Sequence, residues 1–369
     1  MIYKNLILGK LEEVSFLELK DEAKIKIGDE DFYGYLPLPI LNENLITLVK
    51  EEIEDIPLEY FLEGMIYSIS LQPDGEYNDI YLDILNSATK DTKGYVFSRG
   101  VEKLNLEKYL ESMVYFNFLV EENLVDEKVY FSLGQSMENI DISLLDEQEK
   151  NAYAIEIMNV YEKVLNINKE FPLGLYKLGY LYKEFGQFIK SKLTFEKFIQ
   201  VDKNDFRIQE VREVLEEINS EILKEEAVLE LNSGNFDKAL KKLLEVNVEK
   251  RDDLYFYHLS LCYVNLGDFE GALDAIKKSI DIKDLAVYHN QLAIVYQGLG
   301  NMNLAKNEIE ETIDKFGPDY YLNFNLGTIQ YNEGDIKSAI GNFEIAYELD
   351  SNPELGDIIE QLKENTELE

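Results

Sequence analysis

The stretches YHLSLCYVNLGDFEGALDAIKKSI (257–280), NQLAIVYQGLGNMNLAKNEIEETI (290–313) and FNLGTIQYNEGDIKSAIGNFEIAY (324–347) are one pattern written three times. Each has apolar residues at helical spacing, a glycine at 267, 300 or 334, then a second helical run. The glycine suits a helix C-terminus that needs a left-handed residue, and Asp268, Asn301 and Asp335 follow it as expected N-caps. Ala272, Ala305 and Ala339 open the second run, where it must approach the first closely. A fourth copy, YKLGYLYKEFGQFIKSKLTFEKFI (176–199), has its turn at Gly186 and its small residue at Ser191.

Outward from these copies runs a ladder of small residues: Gly64, Gly100, Gly134, Gly179, Ala227, Ser260, Ala293 and Gly327. Its intervals are 34 from Gly100 to Gly134, and 33, 33 and 34 from Ala227 onward. A fixed period of this length means one helix–turn–helix unit copied many times, with two helices touching at the same point in each copy. The upstream copies are degraded. FSRGVEKLNLEKYLESMVYFNFL (97–119) keeps Gly100, Ser112 and Phe116 at the same relative spacings but has Glu107 for the turn glycine. Leu133-Gly134 starts another, whose second helix ends near YEKVLNINK (161–169) after a loop through ENIDISLLDE (138–147). Gly64 in LEYFLEGMIYSISL begins a further unit with a QPDG turn at 72–75. The stretch 206–234 has no breaker before Ser233-Gly234 and predicts one long helix over about 206–232.

The pattern resembles the tetratricopeptide repeat (TPR). Leu178-Gly179 with Tyr182, and Leu326-Gly327 with Ala339, Phe343 and Ala346, match that family most fully. Ala293 with Tyr296 and Ala305, and Ser260 with Tyr263 and Ala272, match in part. The family's tryptophan is absent; Leu175, Phe256 and His289 occupy its place. The resemblance implies a mainly α chain, a right-handed α-solenoid of TPR-type helix–turn–helix repeats, here with a small β-rich N-terminal cap. The expected divisions are a β-rich region at 1–56, degenerate repeats at 57–171, repeats at 172–353 and a capping helix at 354–369.

In the first region AKIKIG (23–28), an Asp-Glu-Asp turn and FYGYLPL (32–38) predict a β-hairpin, with NLILGKLEEV (5–14) as a third strand. NENLITLVKEEIEDI (42–56) has a helical period, closed by Pro57. At the other end, Leu355, Ile358, Ile359 and Leu362 are expected on one face of the capping helix.

The 369 residues carry 73 acidic and 36 basic side chains, a net charge of −37. The acids are spread along the chain, as on a solvated surface that keeps an array from self-associating. Such a surface repels phosphate backbones and argues against nucleic acid as a ligand. No apolar run is long enough to span a membrane, and the N-terminal residues lack the basic and apolar regions of a secretory signal. The single cysteine, Cys262, makes no internal disulfide and fits a reducing, cytoplasmic setting.

No motif in the sequence supports an enzymatic activity. It has no GxxxxGK[ST], GxGxxG or GxSxG motif. Asp29-Glu30-Asp31 opens like a calcium loop, but Tyr33 and Ile40 stand where ligands are required. His258 and His289 lie on successive units without a third metal ligand, and Cys262 sits among apolar neighbours as a packing residue. No cofactor, metal or catalytic residue is expected.

What remains is the surface made by the first helices. Placed by the family's register, the partner-facing residues are Tyr176, Lys177, Tyr180 and Lys183 in one unit and Tyr257, His258, Leu261, Val264 and Asn265 in another. The next gives Asn290, Gln291, Ile294 and Gln297, and the last Tyr321, Phe324, Asn325, Thr328, Tyr331 and Asn332. These are aromatic and amide residues in an acidic chain. Amides both donate to and accept from a peptide backbone, and flat rings add contact area at low entropic cost. The expected function is a non-catalytic scaffold that holds a peptide or helical segment of another protein. The alternative is a peptide-responsive sensor whose array changes conformation on binding.

Overall fold

A computed structural model describes residues 1–18, 24–27, 30–33, 36–52 and 56–367, in two compact units, Met1–Val211 and Arg212–Glu369. The first unit opens with helix α1 (Ile2–Leu8) and a tight helical turn, Gly9–Glu13. Four short strands follow, β1 (Val14–Leu17), β2 (Lys24–Ile27), β3 (Glu30–Tyr33) and β4 (Leu38–Leu41). Then come α2 (Asn42–Lys50), α3 (Leu58–Leu71), α4 (Asn78–Ala88), α5 (Thr92–Asn105), α6 (Tyr109–Glu121), α7 (Glu127–Glu138), α8 (Glu147–Ile167), α9 (Pro172–Glu184) and α10 (Phe188–Val201). The division falls inside α11 (Asp205–Glu217). The second unit continues with α12 (Asn219–Asn232), α13 (Phe236–Leu244), α14 (Asp253–Asn265), α15 (Phe269–Ile282), α16 (Ala286–Gly298), α17 (Met302–Phe316), α18 (Tyr320–Asn332), α19 (Ile336–Leu349) and α20 (Pro353–Glu367).

The helices pair as the ladder predicts: α5 with α6, α7 with α8, α9 with α10, α12 with α13, α14 with α15, α16 with α17 and α18 with α19. The contact at the ladder position follows a size rule. Where the small residue is glycine, a ring from the second helix occupies the space: Phe116 at Gly100, Tyr161 at Gly134, Phe195 at Gly179 and Phe343 at Gly327. Where it is alanine or serine, the buried residue sixteen positions on is aliphatic: Leu243 after Ala227, Ile276 after Ser260 and Ile309 after Ala293. Each pair fills about the same volume, as a close-packed core demands. The small residues on the second helices, Ser191, Ala272, Ala305 and Ala339, are fully buried. Two serines there donate to the first helix: Ser112 Oγ to the Gly100 carbonyl and Ser191 Oγ to the Gly179 carbonyl, both at 2.8 Å.

The turn glycines 186, 234, 267, 300 and 334 have φ between 67° and 85°, the left-handed region where a Cβ is penalised. Glu107 adopts the same conformation at φ 58° without being glycine. Asp268 and Asp335 cap their helices through Gly271 N and Ser338 N; Asn301 makes no such side-chain bond.

Gly64 departs from the ladder. A Cβ there would run into the Pro39 carbonyl and stand 2.7 Å from Ile40 N, so α3 lies against β4 at the point where later units receive a ring. The N-terminal region also differs from expectation. Of the strand predicted over 5–14, only Val14 is in a strand. Tyr3 and Ile7, four apart and both buried, give α1 a helical period, and α1 packs on α6 and α8. The first strand is instead Val14–Leu17, antiparallel to Leu38–Leu41. The predicted hairpin is β2 with β3, in the register Ile27↔Glu30 that puts Glu30 and Asp31 in the strand. Ala23, Gly28, Asp29, Gly34 and Tyr35 lie outside the described residues, as do 53–55 at the end of the predicted helix over 42–56. That helix ends at Lys50.

The long helix expected over 206–232 is two segments, α11 and α12, meeting at Ile218. Backbone bonds continue across the junction, Ile218 N to Val214 O and Ile222 N to Ile218 O, both at 3.0 Å. On α20, Leu355 and Ile359 are buried against α19, whereas Ile358 is 42% exposed and stands off the buried stripe. No helix among the described residues is long and apolar enough to cross a membrane.

Candidate functional site

In the second unit α14, α16 and α18 are the first helices of successive repeats, and their sequences hold no Lys or Arg. Their small residues face the paired helix, which leaves the other flank for the residues predicted from sequence. Tyr257 on α14 packs its ring 5.2 Å from Tyr288 and 5.6 Å from His258. Burial pushes the His258 imidazole below its ordinary range, favouring the neutral ring. Asn265 is exposed and turns back on its own helix, donating to the Leu261 carbonyl at 2.9 Å.

The two central helices meet through their amides. Asn325 Nδ2 on α18 donates to Asn290 Oδ1 on α16 at 2.7 Å. Among the described residues, Asn290 Nδ2 and Asn325 Oδ1 make no further bond. The pair therefore keeps the Asn290 amide nitrogen as a donor and the Asn325 amide oxygen as an acceptor on a half-buried surface. Gln297 is half-buried on the same helix as Asn290. Gln291 is corrected from the expected set: it is 3% exposed, with Nε2 3.4 Å from Ser260 Oγ, because its position on α16 turns towards α14.

Aromatic residues of α18 frame this pair. Tyr321 is 65% exposed and Tyr331 48% exposed, while Phe324 stacks on Tyr320 and packs 5.7 Å from Phe343. Thr328 donates to the Phe324 carbonyl at 2.8 Å. Between α18, α19 and α20 is a cavity of about 370 Å³, lined by Phe324, Thr328, Tyr331, Phe343, Ile358, Gln361 and Leu362. Helix α20 contributes Ile358 to this cavity, whereas the sequence pattern places it on the buried stripe. The signal was an apolar side chain outside the i, i+4, i+7 series of Leu355, Ile359 and Leu362.

In the first unit the predicted residues are already engaged. The hydroxyls of Tyr176 and Tyr180 both donate to Glu210 Oε1, at 2.8 and 2.7 Å, and their rings meet edge to face. Lys177 pairs with Glu138 at 2.6 Å. A cavity of about 510 Å³ near α1 is similarly committed: Glu156 accepts the Ile2 and Tyr3 amides, and Lys163 lies over the Tyr130 ring.

No cluster of three or more His, Cys, Asp or Glu fit for a metal is present among the described residues. His289 places its two ring nitrogens against Glu308, at 2.5 Å, and Asp284, at 2.8 Å, on opposite sides of the ring. Cys262 is fully buried, which pushes its thiol up to about 11.

The sequence profile of the tetratricopeptide repeat matches residues 174–205 and 255–284. Among solved structures, the chain is similar to a tetratricopeptide repeat protein from Parabacteroides merdae, at 14% identity over 73% of this chain and 96% of that one, with a TM-score of 0.39. It is also similar to the C-terminal part of a TPR repeat-containing protein from Cytophaga hutchinsonii, at 15% identity over 71% and 98%, with a TM-score of 0.38. No curated protein matches the chain.

Proposed function

We propose that this chain, which matches the tetratricopeptide repeat profile at 174–205 and 255–284, is a non-catalytic scaffold whose second unit holds an extended segment of another protein. The observation that carries the reading is the Asn290–Asn325 pair. Its remaining donor and acceptor match the carbonyl and N–H that one residue of an extended chain turns to the same side. Recognition through the backbone is indifferent to ligand side chains, and the exposed rings of Tyr321 and Tyr331 supply flat contact area on either side. The absence of Lys and Arg from α14, α16 and α18 speaks against capture of a free carboxylate.

The test is selection of peptides from a displayed random library on the purified protein, followed by titration against Asn290→Ala and Asn325→Ala. Losing one hydrogen bond to a desolvated peptide group should weaken binding about tenfold, with the helical circular dichroism unchanged. If the library yields no binder, or its binders titrate both variants as they do the parent, the reading is wrong.

A further inference from the structure

The cavity between α18, α19 and α20 adjoins the amide pair, because Phe324 and Thr328, which line it, flank Asn325 on α18. Its lining includes the buried ring of Phe343 as well as Ile358, an aliphatic side chain that the capping helix leaves 42% exposed. A volume of about 370 Å³ is ample for one large apolar side chain.

Among the described residues, the charges of α20 that lack an ion-pair partner are acidic. The neighbouring first helices bring no cation. On α20, Asp357 and Glu364 stand one turn before and one turn after Gln361, on the same face, and both are exposed. Neither makes an ion pair among the described residues, and the one cation of that helix, Lys363, is paired with Glu344 at 2.5 Å. An acidic segment would meet these carboxylates without compensation, in a chain of net charge −37. A basic segment would be drawn to them.

Resting on the reading of the amide pair above, we propose that this cavity receives a large apolar side chain, Phe or Leu, from a basic extended segment of a partner protein. The backbone of that segment lies along Asn290 and Asn325, and Lys or Arg residues beside the anchor face Asp357 and Glu364. The cavity and the carboxylates together select the sequence, while the amides hold the chain.

The experiment is a fluorescence-anisotropy titration of the full chain with three dye-labelled nonapeptides of Ala and Ser. The first has a central Phe flanked by Lys, the second a central Ala flanked by Lys, and the third a central Phe flanked by Glu. The first should bind about tenfold more tightly than either other, with an advantage over the third that shrinks as salt rises. Asp357→Lys with Glu364→Lys should abolish the preference for Lys over Glu, and Thr328→Trp, which fills the cavity, the preference for Phe over Ala. The charge-reversed variant alters only surface positions, so it remains informative if Thr328→Trp fails to fold. Equal affinity for the three peptides, or an unchanged Lys preference in the charge-reversed protein, overturns the proposal. Loss of binding in Asn290→Ala without any preference among the peptides overturns it while leaving the backbone-binding reading intact. A preference that survives Asn290→Ala and Asn325→Ala undiminished supports the cavity and removes the amide reading.

Discussion

An alanine at Gly179 would place its Cβ 2.5 Å from Cδ1 and 2.9 Å from Cζ of Phe195. Carbon atoms in contact sit at about 3.5–4 Å, so the ring must withdraw by about 1 Å. It has little room to do so, being fully buried and edge-on to Tyr180 at 5.1 Å. Overpacking of this kind costs about 1–3 kcal/mol, while Gly→Ala in a helix interior returns about 1 kcal/mol. Gly179→Ala alone should therefore destabilise by about 1 kcal/mol. Phe195→Ile alone leaves a partial void at a cost of about 2 kcal/mol. The double variant recreates the alanine–isoleucine combination already present at Ala293 and Ile309, so it should be about 1–2 kcal/mol more stable than the sum of the singles. Repeat arrays need not unfold in one step, so the assay is hydrogen exchange of the α9 and α10 amides, read by mass spectrometry. Gly341→Ala on α19, where a new Cβ meets nothing within 4 Å, is the control and should gain about 0.5–1 kcal/mol. Additivity of the two Gly179 and Phe195 effects to within about 0.5 kcal/mol would refute the size rule.

Two further outcomes follow from local geometry. Glu107→Gly removes a side chain held at φ 58°; relief of about 1–2 kcal/mol of left-handed strain outweighs the added freedom of the unfolded chain, about 0.4–1 kcal/mol. Thermal denaturation should show a gain, and no gain would mean that Glu107 is held by contacts of its own. Asp202 accepts both Arg207 Nε and a terminal guanidinium nitrogen, at 2.8 and 2.9 Å, which holds its carboxyl below the ordinary range. A depressed folded pKa gives stability that is complete above the ordinary carboxylate value of about 4 and lost as pH falls through the folded value. Exchange protection of the α10–α11 turn should thus exceed that of Asp202→Asn at neutral pH and converge with it in acid; a constant difference across the range would contradict the assignment.

Much of the fold is legible in the sequence because a repeat states its own register. One small residue and one turn glycine per unit locate both helices and their line of contact, and the reading reaches even Glu107, where the conformation outlasts the glycine. It fails where pairing is not local. Helix α1, which takes the start of the predicted strand, packs on α6 and α8, more than 100 positions away; Tyr3 Oη, for instance, donates to Asn117 Oδ1 at 3.1 Å. Gly64 carries the mark of the ladder but serves a strand.

The candidate surface divides along the same line. By itself the sequence determined that α14, α16 and α18 carry amides and rings without Lys or Arg, since composition and helical spacing suffice for that. Only the tertiary structure decided which of these groups are open. Tyr176, Tyr180 and Gln291 satisfy themselves on neighbouring helices, Asn290 and Asn325 find each other, and α20 adds Ile358 and Gln361 to a cavity no single helix contains. Spacing along one helix says which face a side chain is on; whether a second helix already occupies that face depends on packing between chain segments that the local pattern does not encode.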